Sequence, residues 1–250
     1  MSSKPTILIL GGTSEAYELA QRLSFEDLGK RFRLLTSLRG STQNPRTPAG
    51  ELRVGGFGGI PGLEAFLHSE NVTRVIDATH PFANQISNHA MLACKKCGIP
   101  LIQLERPTWQ PESEDDWIMI PDLRSASNWL IENPQRVLLT TGQRDLDFFR
   151  RCHDSFFLIR TVEPVLLPEI FPPAENLIAR GPFEERDELE LMRLYSISLL
   201  ICKNSGGSSS LTKLKAARKL SMKVLMIERP QDLHVLKADK IEQIMEWLSN

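Results

Sequence analysis

Short apolar runs that end in a polar turn, each followed by a segment of helical periodicity, restrict the fold of this chain more than any other feature. Ile7–Leu10 opens into Gly11-Gly12-Thr13-Ser14-Glu15-Ala16. Val75-Ile76-Asp77-Ala78 runs into Thr79-His80-Pro81-Phe82-Ala83, and Leu138-Leu139 leads into Thr140-Thr141-Gly142. Apolar strands that alternate with helices predict a parallel sheet covered on both faces. In such sheets ligands dock in the crevice beyond the carboxyl ends of the strands. Asp77, Thr79 and His80 fall there, as do the residues after the other two runs. Three such strand ends point to a nucleotide-dependent enzyme.

The alternation comes in two blocks. The first predicts strands at 6–10, 32–37, 74–78 and 100–104, with helices at 15–23, 63–69 and 84–96. The second predicts strands at 136–140, 156–161, 177–179, 198–202 and 223–227, with helices at 125–131, 146–151, 185–195 and 211–220. Between them Trp109–Trp117, with Pro111 and acids at Glu112, Glu114, Asp115 and Asp116, reads as a solvated linker. Each block also ends in a strand followed by Glu-Arg-Pro, at Glu105-Arg106-Pro107 and Glu228-Arg229-Pro230. This echo suggests two similar halves. The expected architecture is α/β: two Rossmann-like three-layer domains with mainly parallel sheets and an interdomain cleft. The expected boundaries are residues 1–108 for the first domain and 109–250 for the second.

Composition narrows the function. A chain of 250 residues, 41% hydrophobic and 24% charged, can build real cores. A net charge of −1 supplies no field that would gather nucleic acid. No apolar run approaches the roughly 20 residues of a membrane helix, and the first strand begins too early to leave room for a signal peptide. A cytoplasmic protein without nucleic-acid or membrane partners is expected. Cys94 and Cys97 form a CxxC, but they lie on a helix that ends at Gly98, and no second ligand pair stands at zinc spacing. No metal site is expected.

For a cofactor, Gly11, Gly12, Thr13 and Ser14 stand where a backbone can approach a pyrophosphate at a helix N-terminus; Thr13 or Ser14 also suits a plain cap. An NAD-binding fold usually carries an acid at the end of the second strand. Here the chain reads Leu35-Thr36-Ser37-Leu38-Arg39-Gly40. Ser37 and Arg39 could hold a 2′-phosphate, which favours NADPH, though Arg39 also suits an ordinary surface position. Gly55-Gly56-Phe57-Gly58-Gly59 is a loop that either approaches a ligand or makes a tight crossing.

His80 is a candidate acid, polarising donor or cofactor contact. Asp77 reads as an orienting or capping group more than a base. Lys203-Asn204-Ser205-Gly206-Gly207 places an ammonium and backbone donors at the sheet's carboxyl edge, with Ser208–Ser210 extending a loop that could act as a lid. Arg180 is a further candidate anion clamp. Neither tyrosine, Tyr17 or Tyr195, has a lysine four residues on, and GxSxG, Walker A and HExxH are absent. What remains suits hydride transfer, in which the cofactor carries the chemistry.

Read in order, GGTSEA, GGFGG, DATHPFA, LLTTG, RGPF and KNSGG resemble the precorrin-6A reductase family of corrin biosynthesis, over residues 7–230. The resemblance implies NADPH-dependent reduction of one ring double bond of precorrin-6A, or of its cobalt form, to the 6B product. It places NADPH on the first domain through Gly11, Gly12, Thr13, Ser37 and Arg39, with Thr79 and His80 near the nicotinamide. Thr141, Gly142, Arg144, Arg180, Lys203, Ser205 and Gly206 would face the carboxylate-edged macrocycle, in a cleft lined by cations. It further implies contact with neighbouring enzymes of the pathway. The proton is expected from solvent or from the macrocycle's own carboxylates. Two other readings stay open: an NADPH reductase of a smaller metabolite, and a non-catalytic module that binds a nucleotide or tetrapyrrole.

Overall fold

Continuous apolar strands are stable only when both faces are covered, and two sheets of this kind organise the chain. The computed structural model describes residues 4–26, 30–40, 46–208, 210–230 and 233–249. Two compact units result: residues 1–106 with 230–250, and residues 107–229. Both are Rossmann-like α/β domains. Among the described residues no helix is long and apolar enough to cross a membrane.

Unit 1 carries strands β1 (Thr6–Leu10), β2 (Arg33–Leu38), β3 (Glu51–Val54), β4 (Val72–Asp77), β5 (Leu101–Leu104) and β12 (Leu236–Ala238). They pair in parallel in the order β12-β5-β4-β1-β2-β3. Its helices are α1 (Ser14–Phe25), α2 (Gly59–Ser69), α3 (Asn84–Cys97) and α7 (Ile241–Ser249). The period-2 alternation of β1 divides the core. Ile7 and Ile9 pack with Leu19 and Leu23 of α1 and Ile244 and Leu248 of α7. Leu8 and Leu10 face the other way, onto Leu63 and Leu67 of α2 and Ala90 and Ala93 of α3.

Unit 2 carries β6 (Asp116–Ile120), β7 (Arg136–Leu139), β8 (Phe156–Thr161), β9 (Ala174–Ile178), β10 (Leu199–Lys203) and β11 (Lys223–Ile227), in the order β6-β11-β10-β7-β8-β9. Its helices are α4 (Leu123–Glu132), α5 (Glu185–Leu194) and α6 (Thr212–Lys219), with a 3₁₀ helix at Gln143–Phe149 where sequence periodicity predicts an α-helix over 146–151.

The two sheets share one plan. Counted outward from β1 and from β7, each follows the 3-2-1-4-5-6 order of dinucleotide-binding sheets. The sixth places are exchanged. β6 follows β5 in the chain but pairs with β11, whereas β12 follows β11 but pairs with β5. The chain passes between units at Arg106–Pro107 and returns at Arg229–Pro230, so the repeated Glu-Arg-Pro triplets mark the two crossings. The expected boundary of 109–250 is corrected here. Residues 230–250 join unit 1, because Leu236 and Ala238 register with Ile102 and Leu104, and α7 buries Ile244 and Leu248 in that core.

The acidic stretch is exposed over residues 110–114, as expected of a solvated segment, but it is anchored at its end. Asp115 accepts two hydrogen bonds from Arg218 of α6, each of 3.0 Å, and Glu112 pairs with the same guanidinium. Asp116 and Trp117 already belong to β6.

Candidate functional site

Each sheet reverses its winding once, and the motif residues gather at those points. In unit 1 the reversal falls between β1 and β4. The tips there are tied together: Gly11 N–H donates to Ser37 O (3.0 Å) and Ala78 N–H to Leu10 O (2.9 Å). Gly11 is packed tightly, since a Cβ would lie 3.0 Å from Thr36 Cγ2. Gly12 is the opposite case. Its φ is +116° and a Cβ would meet nothing within 4 Å, so bare backbone faces open space at the start of α1. Thr13 is the N-cap: its Oγ1 accepts from Ala16 N–H (3.2 Å) and donates to Ala78 O (2.7 Å), joining helix and strand. Ser14 opens the helix.

Asp77 is buried and turned inward. Its Oδ1 accepts from Thr79 N–H (3.1 Å) and Thr79 Oγ1 (2.7 Å). Burial pushes its carboxyl pKa up, opposed by the hydrogen bonds from Ser87 and Thr79. That geometry makes Asp77 the organiser of the turn. His80 stands exposed beyond it and accepts at Nδ1 from Phe82 N–H (3.3 Å). A neutral ring held this way carries its proton on Nε2.

Ser37 is buried at the tip of β2, and Arg39 is exposed just past it. Sequence reasoning passed over Arg53, on the neighbouring strand β3. Its Nη1 donates to Ser37 Oγ (3.3 Å) and Gly55 O (2.5 Å), and its Nη2 to Gly56 O (2.7 Å). The residue alternation that would have exposed it is lost in a four-residue edge strand.

In unit 2 the reversal falls between β7 and β10, where Thr141 and Gly142 meet Lys203. Lys203 Nζ lies 2.7 Å from Asp145 Oδ2 and donates to Thr141 O (3.0 Å), and Asp145 N–H donates to Gly142 O (3.2 Å). The lysine is thus held by an internal carboxylate at the sheet edge. Arg144 lies on the adjoining 3₁₀ helix, while Arg180 is exposed past β9, two strands from β7.

The rest of KNSGG serves the crossings. Asn204 accepts from Trp109 N–H (2.8 Å) and donates to Trp109 O (3.1 Å). Trp109 Nε1 donates to Gly207 O, and Arg229 donates to Asn204 O and Ser205 O. Ser205 is buried, and Gly206 fits with φ +67° against Pro107 O. Of the expected lid, Ser209 lies outside the described residues.

Three buried charged residues also escaped the sequence reading. Lys213, in the first turn of α6, donates to Thr140 Oγ1 (3.1 Å), and burial pulls its ammonium pKa below the ordinary value. Arg160 of β8 and Glu188 of α5 form a bidentate pair at 2.6 and 2.7 Å. In the CxxC, burial pushes the Cys94 thiol up to about 12, which removes it from thiolate chemistry at neutral pH. Among the described residues no cluster of His, Cys, Asp or Glu is arranged to hold a metal ion.

A dinucleotide strand order, an open glycine turn at its reversal and a second such sheet define a nucleotide-dependent α/β protein of two Rossmann-like domains. Comparison with known proteins gives the particular family. The family model described as "Precorrin-6x reductase CbiJ/CobK" matches residues 6–249. The precorrin-6A reductase of a Sinorhizobium species is 41% identical over 98% of this chain and 95% of its own length, and that of Rhodococcus erythropolis is 43% identical over 90% and 89%. The solved structure "CobK precorrin-6A reductase" superposes with a TM-score of 0.90 at 38% identity, covering 98% of this chain and 96% of that one. The chain belongs to the precorrin-6x reductase family. It is an oxidoreductase of cobalamin biosynthesis that reduces a ring double bond of precorrin-6A or its cobalt form, which implies a nicotinamide cofactor.

Proposed function

We propose that unit 1 binds NADPH at the reversal between β1 and β4, and that the macrocycle reduced is the metal-free one. The observation that carries the cofactor reading is the pairing of open backbone at Gly12 with a β2 tip, Ser37-Leu38-Arg39, that has no acid for a ribose diol. The metal-free reading is supported by identity: the relatives at 41% and 43% are named precorrin-6A reductases, whereas the cobalt-precorrin-6A reductase of Priestia megaterium is 26% identical.

NADPH, when bound, supplies the hydride. The chain's part is orientation and electrostatics. Gly12 leaves room for the pyrophosphate at the N-terminus of α1, Gly11 packs against β2 behind it, and Thr13 holds that helix to the β4 tip. Asp77, saturated by Thr79 and Ser87, fixes the turn that presents Thr79 and His80 at the nicotinamide side. His80 Nε2–H is then a donor toward the cofactor or a substrate carboxylate. The macrocycle takes its proton from solvent or its own carboxylates, since Asp77, the buried acid of this turn, is turned inward onto Thr79. Thr141, Gly142, Arg144, Arg180 and Lys203 are proposed to serve the substrate's carboxylates, with Lys203 released from Asp145 to reach them. Ser205 and Gly206 support that edge from behind. The function is exercised in the cytoplasm, with transfer of the macrocycle to and from neighbouring pathway enzymes.

Gly12→Val tests the cofactor site. A Cβ there meets no protein atom within 4 Å, so stability should fall mainly by the strain of a positive φ, about 1–3 kcal/mol. NADPH affinity, read by fluorescence titration, is expected to drop by about tenfold or more as backbone donors are screened from the phosphate. Unchanged affinity would place the cofactor elsewhere.

A further inference from the structure

The half-buried cation at the edge of unit 1's sheet has no anionic partner among the described residues, and its surroundings are built to hold it. Arg53 lies with its guanidinium 4.0 Å from the Phe57 ring centroid and 5.0 Å from that of Phe66. The two rings pack edge to face at 5.0 Å and rest on the core that covers Leu8 and Leu10. Carbonyls of Gly55 and Gly56 and the hydroxyl of Ser37 take three of its five N–H donors. No carboxylate among the described residues pairs with it. The groups that hold it are neutral, and desolvation draws the guanidinium pKa below its ordinary value. Removing a cation from water without a counter-charge is unfavourable unless something offsets it.

The position says what the offset would be. The loop after β3 is closed onto the β2 tip, with Gly55 N–H donating to Leu38 O (2.9 Å). A Cβ on Gly40 would strike Val54 Cγ1 at 2.9 Å, so the turn after Arg39 presses on the same strand end. The glycines of that loop face outward: Cβ atoms on Gly55, Gly56 and Gly58 would meet nothing within 4 Å. Arg53 thus joins the second-strand tip to the glycine loop, at the place where a dinucleotide sheet receives the adenosine ribose.

We propose that Arg53, with Ser37, is the group that recognises the 2′-phosphate of the cofactor, and that the loop Gly55–Gly59 is ordered around this guanidinium to receive it. Two N–H donors of the fork remain for phosphate oxygens, a planar geometry that lysine does not reproduce. Arg39, exposed and one residue beyond the tip pair, is secondary. The proposal rests on the reading of unit 1 as the NADPH site and names the residue that sets its preference over NADH.

The test uses the whole protein and measures binding alone. Adenosine 2′,5′-bisphosphate, AMP, NADPH and NADH are titrated by calorimetry into the wild type, Arg53→Met, Arg53→Lys and Arg39→Met. The wild type should prefer the 2′-phosphorylated member of each pair. Arg53→Met should weaken that member by about ten- to a hundredfold, the loss expected for charge-assisted hydrogen bonds, and leave AMP and NADH within about threefold. Arg53→Lys should recover part of the preference, and Arg39→Met should retain most of it. If Arg53→Met keeps the wild-type ratio, or weakens both members equally, Arg53 is a strut of the loop and the proposal is wrong. If the wild type binds neither nicotinamide cofactor, the NADPH reading itself fails and the proposal with it.

Discussion

Glu188→Ala should lower the stability of unit 2 by about 3–5 kcal/mol, the range for removing one partner of a buried ion pair. The Arg160 and Glu188 side chains are 7% and 1% exposed, so neither charge can turn to water when its partner goes. Arg160 would keep a Phe183 ring at 4.4 Å but no anion. The damage extends to Lys213, whose buried ammonium is favoured by the charge of Glu188 and disfavoured by that of Arg160. Two cations would then share a desolvated region at the carboxyl edge of β7 and β8. Urea denaturation followed by tryptophan fluorescence should show the loss. Arg160→Met combined with Glu188→Leu should recover most of it, because replacing both charges leaves nothing buried and unpaired. A single mutant close to the wild type would contradict the buried pair. The exposed pair of Arg186 and Glu190 should tolerate removal without a measurable shift.

Gly206→Ala is expected to be nearly as disruptive, for a steric reason. A Cβ there would sit 2.1 Å from Pro107 O and 2.7 Å from Arg229 Nη2, on a residue with φ +67°. The carbonyl is backbone and cannot swing aside as a side chain tip would. Local strain of this kind costs about 1–3 kcal/mol from the dihedral alone, before Pro107 and Arg229 are displaced. Those residues lie at the two crossings between units, where Asn204 and Trp109 also meet. The variant should therefore expose Trp109, shift its emission to the red and lose activity at temperatures the wild type withstands. Gly98→Ala is the control: it also has positive φ, but a Cβ there meets nothing within 4 Å, so only the dihedral strain should appear.

What could be read from the sequence follows the strength of local patterning. β1, β4, β7, β8 and β11 are apolar runs bounded by turn residues, and each lies within two residues of its expected place. β3, β6 and β12 are edge or near-edge strands with charged or exposed positions, such as Glu51, Asp116 and Leu236, and carry no run to recognise. The exchange of sixth strands could not be read at all, because nothing local to Asp116–Ile120 specifies which sheet it joins. The repeated Glu-Arg-Pro was the trace it left. At the site, Gly12, Thr13, Asp77 and His80 are legible because a strand end and a helix start fix them along the chain. Arg53 is not, since its contact with Ser37 arises only when β3 is laid beside β2.

The central claim is tested by anaerobic turnover, following loss of the reduced-nicotinamide absorbance with precorrin-6A and with its cobalt form, each with NADPH and with NADH. Oxidation of NADPH by the metal-free macrocycle, with formation of its 6B product and little reaction in the other three arms, is the predicted result. Saturable NADPH binding without oxidation by either macrocycle would contradict the account.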